Sequence, residues 1–216
     1  MRRVALGLAI ITFLLGAWTF DAKLSLSGDN AEFITLARSL AQGSGLTHIN
    51  TAVPAPATKY PPGFPLLLAP LELLAPGSWT PMKWIVLVTF TAAVPLFFLL
   101  MHTSLGTVPS LCAAAICLTL PLLQDYAHQV MSEIPYLAFS VGALYLLQRS
   151  GDNPAVRGNR WLLAAFACTM AAYYIRTVGI VLIVAAVLYL LVRGERPKGL
   201  VFLGAAVLAW LPWTLR

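Results

Sequence analysis

The sequence predicts an all-α membrane protein, with about seven transmembrane helices and a long first outer loop that carries interfacial amphipathic helices. Of its 216 residues, 59% are hydrophobic and only 10% are charged, whereas a soluble domain is about 45–50% apolar and about 25% charged. The mean hydropathy of +0.81 agrees with this class. Long apolar runs recur along the chain, and helices are favoured because they satisfy their own backbone groups in lipid.

The composition also argues against several functional classes. The net charge of +6 comes from basic residues scattered at loop ends, so no nucleic-acid partner is expected. Cys112, Cys117 and Cys168 lie in apolar runs without a CxxC pair and are interpreted as small core side chains. The chain contains no P-loop, HExxH or GxSxG pattern, which argues against nucleotide-driven transport and the usual hydrolases.

The first predicted span follows two arginines at the N-terminus. About 17 apolar-leaning residues come next, without a clear cleavage site, which indicates an uncleaved span. Further apolar runs follow, several shorter than the ~20 residues that cross a bilayer upright, so tilt or partial burial is expected. The predicted spans are 3–20, 82–103, 106–124, 130–148, 160–175, 178–193 and 199–215.

Residues 21–81 form the predicted first outer loop, which begins its helical part with the stretch SGDNAEFITLARSL. Asp29 and Glu32 have the spacing of a capping box, with Asp29 as N-cap and Glu32 at N3. Apolar residues then recur at helical spacing up to Gly43, which predicts a short amphipathic helix along the membrane interface. Ser, Thr or Asn would cap a helix equally well, so the spacing leaves open whether Asp29 is a cap or a catalytic acid.

A second apolar segment, 61–77, contains Pro65, Pro70 and Glu72. Its helical part is too short to cross at ~1.5 Å per residue, so we expect a helix at the membrane surface or wedged between spans. With this segment not crossing and the N-terminus cytoplasmic, basic residues gather in cytoplasmic loops, as the positive-inside rule requires. These residues are Arg2, Arg3, Arg149, Arg157, Arg160, Arg193, Arg196 and Lys198.

The same topology places most acids on the outer side, which suggests an acidic site on that face. Glu133 begins a predicted span and is either a helix N-terminal acid or a second acid facing the same cavity as Asp29. Asp125 and His128 lie in the same outer loop. A divalent metal held by His128, Glu133 and Asp29 is an alternative that the spacing leaves open.

Arg176 lies in the turn between two short apolar runs, at the expected depth of the outer leaflet. Arginine is costly there and usually pairs with an acid or belongs to a functional site. It either snorkels to lipid headgroups or binds a phosphate with its planar fork. Arg216, at the end of the last predicted span, has the same two interpretations.

These segments together resemble the GT-C superfamily of glycosyltransferases that use polyprenyl-phosphate sugars. The likeness rests on the order of SGDNAEFITLARSLAQGSGL, KYPPGFPLLLAPLELL, MSEIPYLAFSVGALYLL, YYIRTVGIVLI and LPWTLR. It is greatest for the branch of the protein O-mannosyltransferases and the lipid A aminoarabinose transferase. The resemblance implies that residues 1–216 are one N-terminal transmembrane module of a longer enzyme, truncated at its C-terminus.

The resemblance also implies roles for individual residues. Asp29 matches a first-loop acid that serves as catalytic base or binds the acceptor, and Glu133 matches a second acid. Arg176 is expected near the lipid phosphate. Asn30 stands where relatives often have another acid, which leaves open whether Glu32 or Glu133 compensates. The remaining expected residues are Arg216 for the donor phosphate and Tyr60, Pro61, Pro62, Glu32, Asp125 and His128 for the substrate groove.

The predicted function is therefore sugar transfer from a polyprenyl-phosphate donor to a hydroxyl of a glycan, lipid or protein, with inversion. The resemblance implies a bacterial inner membrane location, an outer-face site, membrane lipids as surroundings and no certain cofactor beyond an optional divalent metal. The alternatives are a transporter or flippase for a lipid-linked glycan, or an inactive fragment. A transporter needs polar residues through its spans, and 82–101, 180–192 and 199–211 contain almost none.

Overall fold

The computed structural model describes residues 1–25, 28–152 and 156–215, which form an almost wholly helical chain. Two short strands, β1 Thr47–His48 and β2 Ala55–Pro56, pair antiparallel in the segment between the second and third helices. The helices are α1 Arg2–Trp18, α2 Asn30–Ala41, α3 Gly63–Leu74, α4 Thr80–Leu105, α5 Thr107–Thr119, α6 Pro121–Ala127, α7 Glu133–Asp152, α8 Val156–Ile175, α9 Ile180–Val192 and α10 Arg196–Thr214.

Helix α4 lies at the centre of the described bundle and packs against α1, α5 and α7. Its Phe90 and Phe98 are fully buried in the largest hydrophobic cluster, which also takes in Phe33 of α2 and Phe64 of α3. At the start of α4, the buried Lys83 donates hydrogen bonds to the backbone carbonyls of the segment that follows α1. Through Phe33 and Phe64, α2 and α3 pack onto the bundle.

The predicted amphipathic helix is present as α2, with Phe33, Leu36 and Ala37 buried on one face. It ends before Gly43, whose φ of 76° is a left-handed conformation that glycine adopts without a steric penalty. The predicted capping box is wrong. Asp29 occupies the N-cap position but makes no side-chain cap hydrogen bond, because its carboxylate pairs with a lysine instead.

Helix α3 confirms the short helix predicted within 61–77. Its 12 residues span about 18 Å at 1.5 Å per residue, too little for the ~30 Å hydrocarbon layer. The buried Glu72 fixes α3 to α2, since its Oε1 accepts a hydrogen bond from Arg38 Nε at 2.9 Å. Leu66, Leu73 and Leu74 remain exposed, which leaves an apolar surface on the other side of α3.

Among the described residues, one helix, α4, has both the length and the apolarity of a membrane span. The pair α5 and α6 reaches that standard only if the two are counted as one span bent by 59°. Pro121 accounts for this break in the predicted span 106–124, because proline disfavours the helical conformation in the residue before it. The seven predicted spans are thus not shown, since helices such as α1, with 17 residues, and α9, with 13, are short.

Candidate active site

A cavity of about 170 Å³ lies where the first outer segment meets the turn after α8. Four parts of the chain meet here: the N-cap residue of α2, the segment before α3, the residue before α7 and the α8–α9 turn. Its described lining consists of Asp29, Lys59, Tyr60, Pro61, Ser132, Ile175, Arg176, Thr177 and Val178. Four of the residues selected from the sequence, Asp29, Tyr60, Pro61 and Arg176, are therefore brought to one place.

The acids Asp29 and Glu32 are paired with one lysine. Lys59 Nζ lies 3.2 Å from Asp29 Oδ1 and 3.4 Å from Glu32 Oε2. The ammonium also sits 4.6 Å from the centre of the Tyr60 ring, a distance at which a cation is attracted to an aromatic face. These contacts raise the pKa of Lys59, through Tyr60 first and then through the two acids, so the lysine is a fixed positive charge.

The Tyr60 hydroxyl influences the charge of Asp29 by proximity, since it is buried and makes no hydrogen bond of ordinary geometry within the described residues. Its interaction with the carboxylate is the largest influence on the pKa of Asp29 and lowers it below the ordinary 3.8, and Lys59 adds to this effect. Burial and the neighbouring carboxylate raise the pKa of Tyr60 itself. At neutral pH the cavity therefore holds an ionised carboxylate next to a protonated phenol.

Arg176 faces the cavity from the turn between α8 and α9. Its extended backbone, with φ −145° and ψ 131°, ends the helix before a short 3-10 helix at Thr177–Gly179. The guanidinium Nη1 lies 2.5 Å from Glu133 Oε1 and donates to Ser132 Oγ at 3.0 Å. The second Glu133 oxygen, Oε2, is buried and has no hydrogen-bond partner among the described residues. Glu133 thus holds Arg176 in place and has a second oxygen that can accept a hydrogen bond.

Asn30 explains the departure from the expected pair of acids. It is 1% exposed, its Oδ1 accepts the Val130 N–H at 2.7 Å, and its Nδ2 donates to Gln129 Oε1 at 3.3 Å. A carboxylate at this position could accept the first bond but not donate the second. Asn30 therefore joins α2 to the segment before α7 and has a structural role.

Several predicted groove residues lie outside the lining of this cavity. Asp125 accepts a hydrogen bond from Gln129 at 2.8 Å, and His128 Nε2 lies 3.1 Å from the Gly16 carbonyl of α1. Pro62 is the N-cap residue of α3. Among the described residues, no three His, Cys, Asp or Glu side chains are arranged to hold a metal. Asp29, His128 and Glu133 therefore do not form the metal site that the spacing left open. Arg216 lies outside the described residues.

Two glycines allow the backbones around the cavity to approach closely. A Cβ on Gly63 would lie 2.6 Å from the backbone carbonyl of Tyr174, and one on Gly179 would lie 2.6 Å from the Tyr173 backbone. No real Cβ makes contacts this short with backbone atoms. The start of α3 and the 3-10 turn can therefore rest against the end of α8 only because both positions lack a side chain.

Sequence reasoning missed Lys59 and Ser132 as site residues. Lys59 directly precedes the Tyr-Pro-Pro segment that the sequence did single out, so its position was the available signal. Nothing in a single sequence shows that it pairs with acids about thirty positions earlier, because that pairing depends on how α3 packs against α2.

Comparison with known families identifies the chain. A family model described as dolichyl-phosphate-mannose-protein mannosyltransferase matches residues 59–213, more than two thirds of the chain. Neither a curated protein nor a solved structure matches it. The matched range includes Lys59, Tyr60, Glu133 and Arg176, whereas Asp29 precedes it. The chain therefore belongs to the dolichyl-phosphate-mannose-protein mannosyltransferase family, whose members are membrane glycosyltransferases of the GT-C type.

Proposed function

We propose that this glycosyltransferase moves a sugar from a polyprenyl-phosphate donor to an acceptor hydroxyl, with inversion at the anomeric carbon. The observation that carries the proposal is the cavity that joins Asp29 to Arg176 and Lys59. The proposal is supported by the proximity of an ionised carboxylate, suited to an acceptor hydroxyl, to two cations, suited to a phosphate. This is the pair of functions that the transfer requires.

On the donor side, Arg176 and Lys59 bind the phosphate that links sugar to lipid. Arginine offers a planar fork of donors, and a lysine offers a compact charge that can shift between partners. As the bond between the anomeric carbon and the phosphate oxygen breaks, negative charge builds on the phosphate. Two cations already in position stabilise that charge, which is commonly a large part of catalysis.

On the acceptor side, Asp29 accepts a hydrogen bond from the attacking hydroxyl and takes its proton as the new glycosidic bond forms. A carboxylate with a lowered pKa is a weak base, so it removes the proton late, once the hydroxyl has begun to bond to carbon. Lys59 occupies Asp29 Oδ1 in the structure. An incoming donor phosphate competes for this lysine and thereby frees the carboxylate for the acceptor.

We further propose that the site faces the outer side of a bacterial inner membrane, with the N-terminus in the cytoplasm. The proposal is supported by the charge pattern of the chain. Basic residues lie mainly beside α1, α7, α8 and α10 at the ends remote from the cavity, whereas most of the acids lie on the cavity side, Asp152 and Glu195 being the exceptions. The acceptor class, whether glycan, lipid or protein, is defined by a hydroxyl that reaches Asp29.

The experiment is turnover of polyprenyl-phosphate mannose by the protein in proteoliposomes, measured as release of polyprenyl phosphate in the presence of candidate acceptors. Asp29→Asn should lower kcat by about 10²–10⁴-fold, the usual contribution of one positioned acid or base. The anomeric configuration of the product, read by NMR, tests inversion.

Asp21→Asn is the matched control, because Asp21 is an exposed acid of the same segment and does not line the cavity. It should leave turnover unchanged. Both variants are compared by thermal melting, so that a folding defect is distinguished from a catalytic one. Near-normal turnover of a well-folded Asp29→Asn protein would exclude Asp29 as the base.

A further inference from the structure

A second cavity, of about 470 Å³, lies between the N-terminal ends of α1 and α8. Its described lining consists of Arg2, Arg160, Trp161 and Ala164. Arg2 is the first residue of α1, and Arg160 lies in the second turn of α8. From the sequence, these two arginines indicate only which loops are cytoplasmic, and neither has a part in the proposed transfer reaction.

This cavity lies at the opposite end of the bundle from the candidate active site. Helix α8 runs from Arg160 towards Arg176, and this stretch covers about 24 Å at 1.5 Å per residue. The hydrocarbon layer of a bilayer is about 30 Å thick. The two arginine levels are thus separated by nearly one membrane thickness, which places Arg2 and Arg160 near the other headgroup region.

The two arginines carry charge that nothing in the described part of the chain neutralises. Both are exposed, and neither has an ion pair or a side-chain hydrogen bond there. Arg38 and Arg176, in contrast, pair with acids. Two unneutralised guanidinium groups on one cavity attract an anion, and their planar forks match the oxygens of a phosphate.

Exposed aliphatic side chains continue from this cavity along the helices. Leu6 and Ile10 follow Arg2 at one-turn intervals on α1 and are 62% and 50% exposed, and Leu163 of α8 is 69% exposed. Trp161 is of the type that is enriched at the membrane–water interface. A polar anion site that borders aliphatic surface matches a molecule with a phosphate head and hydrocarbon chains.

We propose that this cavity binds the phosphate of an anionic phospholipid, whose acyl chains lie over Leu6, Ile10 and Leu163. The bound lipid joins the start of α1 to the start of α8. The occupant is a lipid and not a free phosphate, because only a ligand with hydrocarbon chains can contact the neighbouring aliphatic side chains as well as the arginines. This site is separate from the transferase cavity and does not depend on the proposed reaction.

The test uses the purified full chain in phosphatidylcholine nanodiscs that contain increasing fractions of phosphatidylglycerol. Native mass spectrometry counts the phosphatidylglycerol molecules retained by each protein. The unsubstituted protein should retain phosphatidylglycerol in preference to phosphatidylcholine. The variant R2Q/R160Q should weaken this retention about tenfold, since two charge-assisted contacts are lost.

The matched control is R3Q/R196Q, which removes the same charge from two exposed arginines that do not line the cavity. It should change retention by less than about twofold. The variant R2K/R160K keeps the charge but lacks the planar guanidinium groups, so it should show an intermediate loss of phosphatidylglycerol retention. This variant also tests the site if R2Q/R160Q fails to fold. Equal loss in R2Q/R160Q and in the control, or no loss in either cavity variant, would overturn the proposal. Displacement of the lipid by inorganic phosphate at equal concentration would overturn the assignment to a lipid.

Discussion

At the scale of single residues, the candidate site is a set of paired charges rather than a lone acid. Lys59 bridges Asp29 and Glu32, and Arg176 is held by Glu133. Glu32, which the spacing assigned to a capping box, is instead a second partner of Lys59. The acids therefore position the cations.

The pH dependence of turnover should report the contact between Tyr60 and Asp29. The nearby Tyr60 hydroxyl lowers the pKa of Asp29, so the ionised form, which is the proposed base, persists to lower pH than in an ordinary aspartate. Tyr60→Phe removes this stabilisation, raises the pKa of Asp29 and should move the acidic limb of the kcat/KM profile to higher pH.

The measurement is a kcat/KM profile between about pH 3 and 8 for both proteins. Tyr126→Phe serves as the control, because Tyr126 lies in α6 and does not line the cavity. An acidic limb at the same pH in Tyr60→Phe and in the unsubstituted protein would show that Asp29 does not govern it.

At the scale of the helices, the close contact between α3 and α8 should be sensitive to a single methyl group. Gly63→Ala places its Cβ against the Tyr174 backbone, so α3 must move away and carry Tyr60 and Pro61 with it. We expect a loss of stability of about 1–3 kcal/mol, as for other overpacked sites, and a fall in turnover of tenfold or more.

Gly204→Ala in α10 is the matched control, because no atom of the described residues lies within 4 Å of its added Cβ. Alanine has a higher helix propensity than glycine, so this change should be neutral or slightly stabilising. Thermal melting in detergent and the turnover assay measure both effects. If Gly63→Ala behaves like Gly204→Ala, the close packing of α3 on α8 does not position the site.

The helices were largely predictable because each rests on a local pattern. The start and end of α2 follow from its apolar spacing and Gly43, and the turn at Arg176 follows from two short apolar runs. The bend at Pro121 was missed, since apolar composition alone does not separate a straight span from a broken one. Lys59 was missed as well, because its partners are distant in sequence.

At the scale of the whole molecule, the charge pattern predicts that the two ends of the bundle face opposite sides of the membrane. In a protein whose native cysteines are replaced by serine, Ser44→Cys should react with a membrane-impermeant maleimide added outside intact cells. Arg196→Cys should react only after permeabilisation. Both positions are exposed, so a difference reports sidedness. The reverse pattern would place the site in the cytoplasm.

The balance of formal charge around the cavity has a consequence for the end of the reaction cycle. Three carboxylates, Asp29, Glu32 and Glu133, face two cations, Lys59 and Arg176, so the paired groups carry a net charge of −1. A phosphodiester donor carries one negative charge, whereas the phosphomonoester left after transfer carries about −1.5 to −2 at neutral pH. In the proposed reaction Asp29 takes the acceptor proton, so the paired groups are neutral when the phosphomonoester forms. Once Asp29 gives up that proton, the net charge of −1 returns and repels the phosphomonoester more strongly than the donor, so deprotonation of Asp29 favours product release.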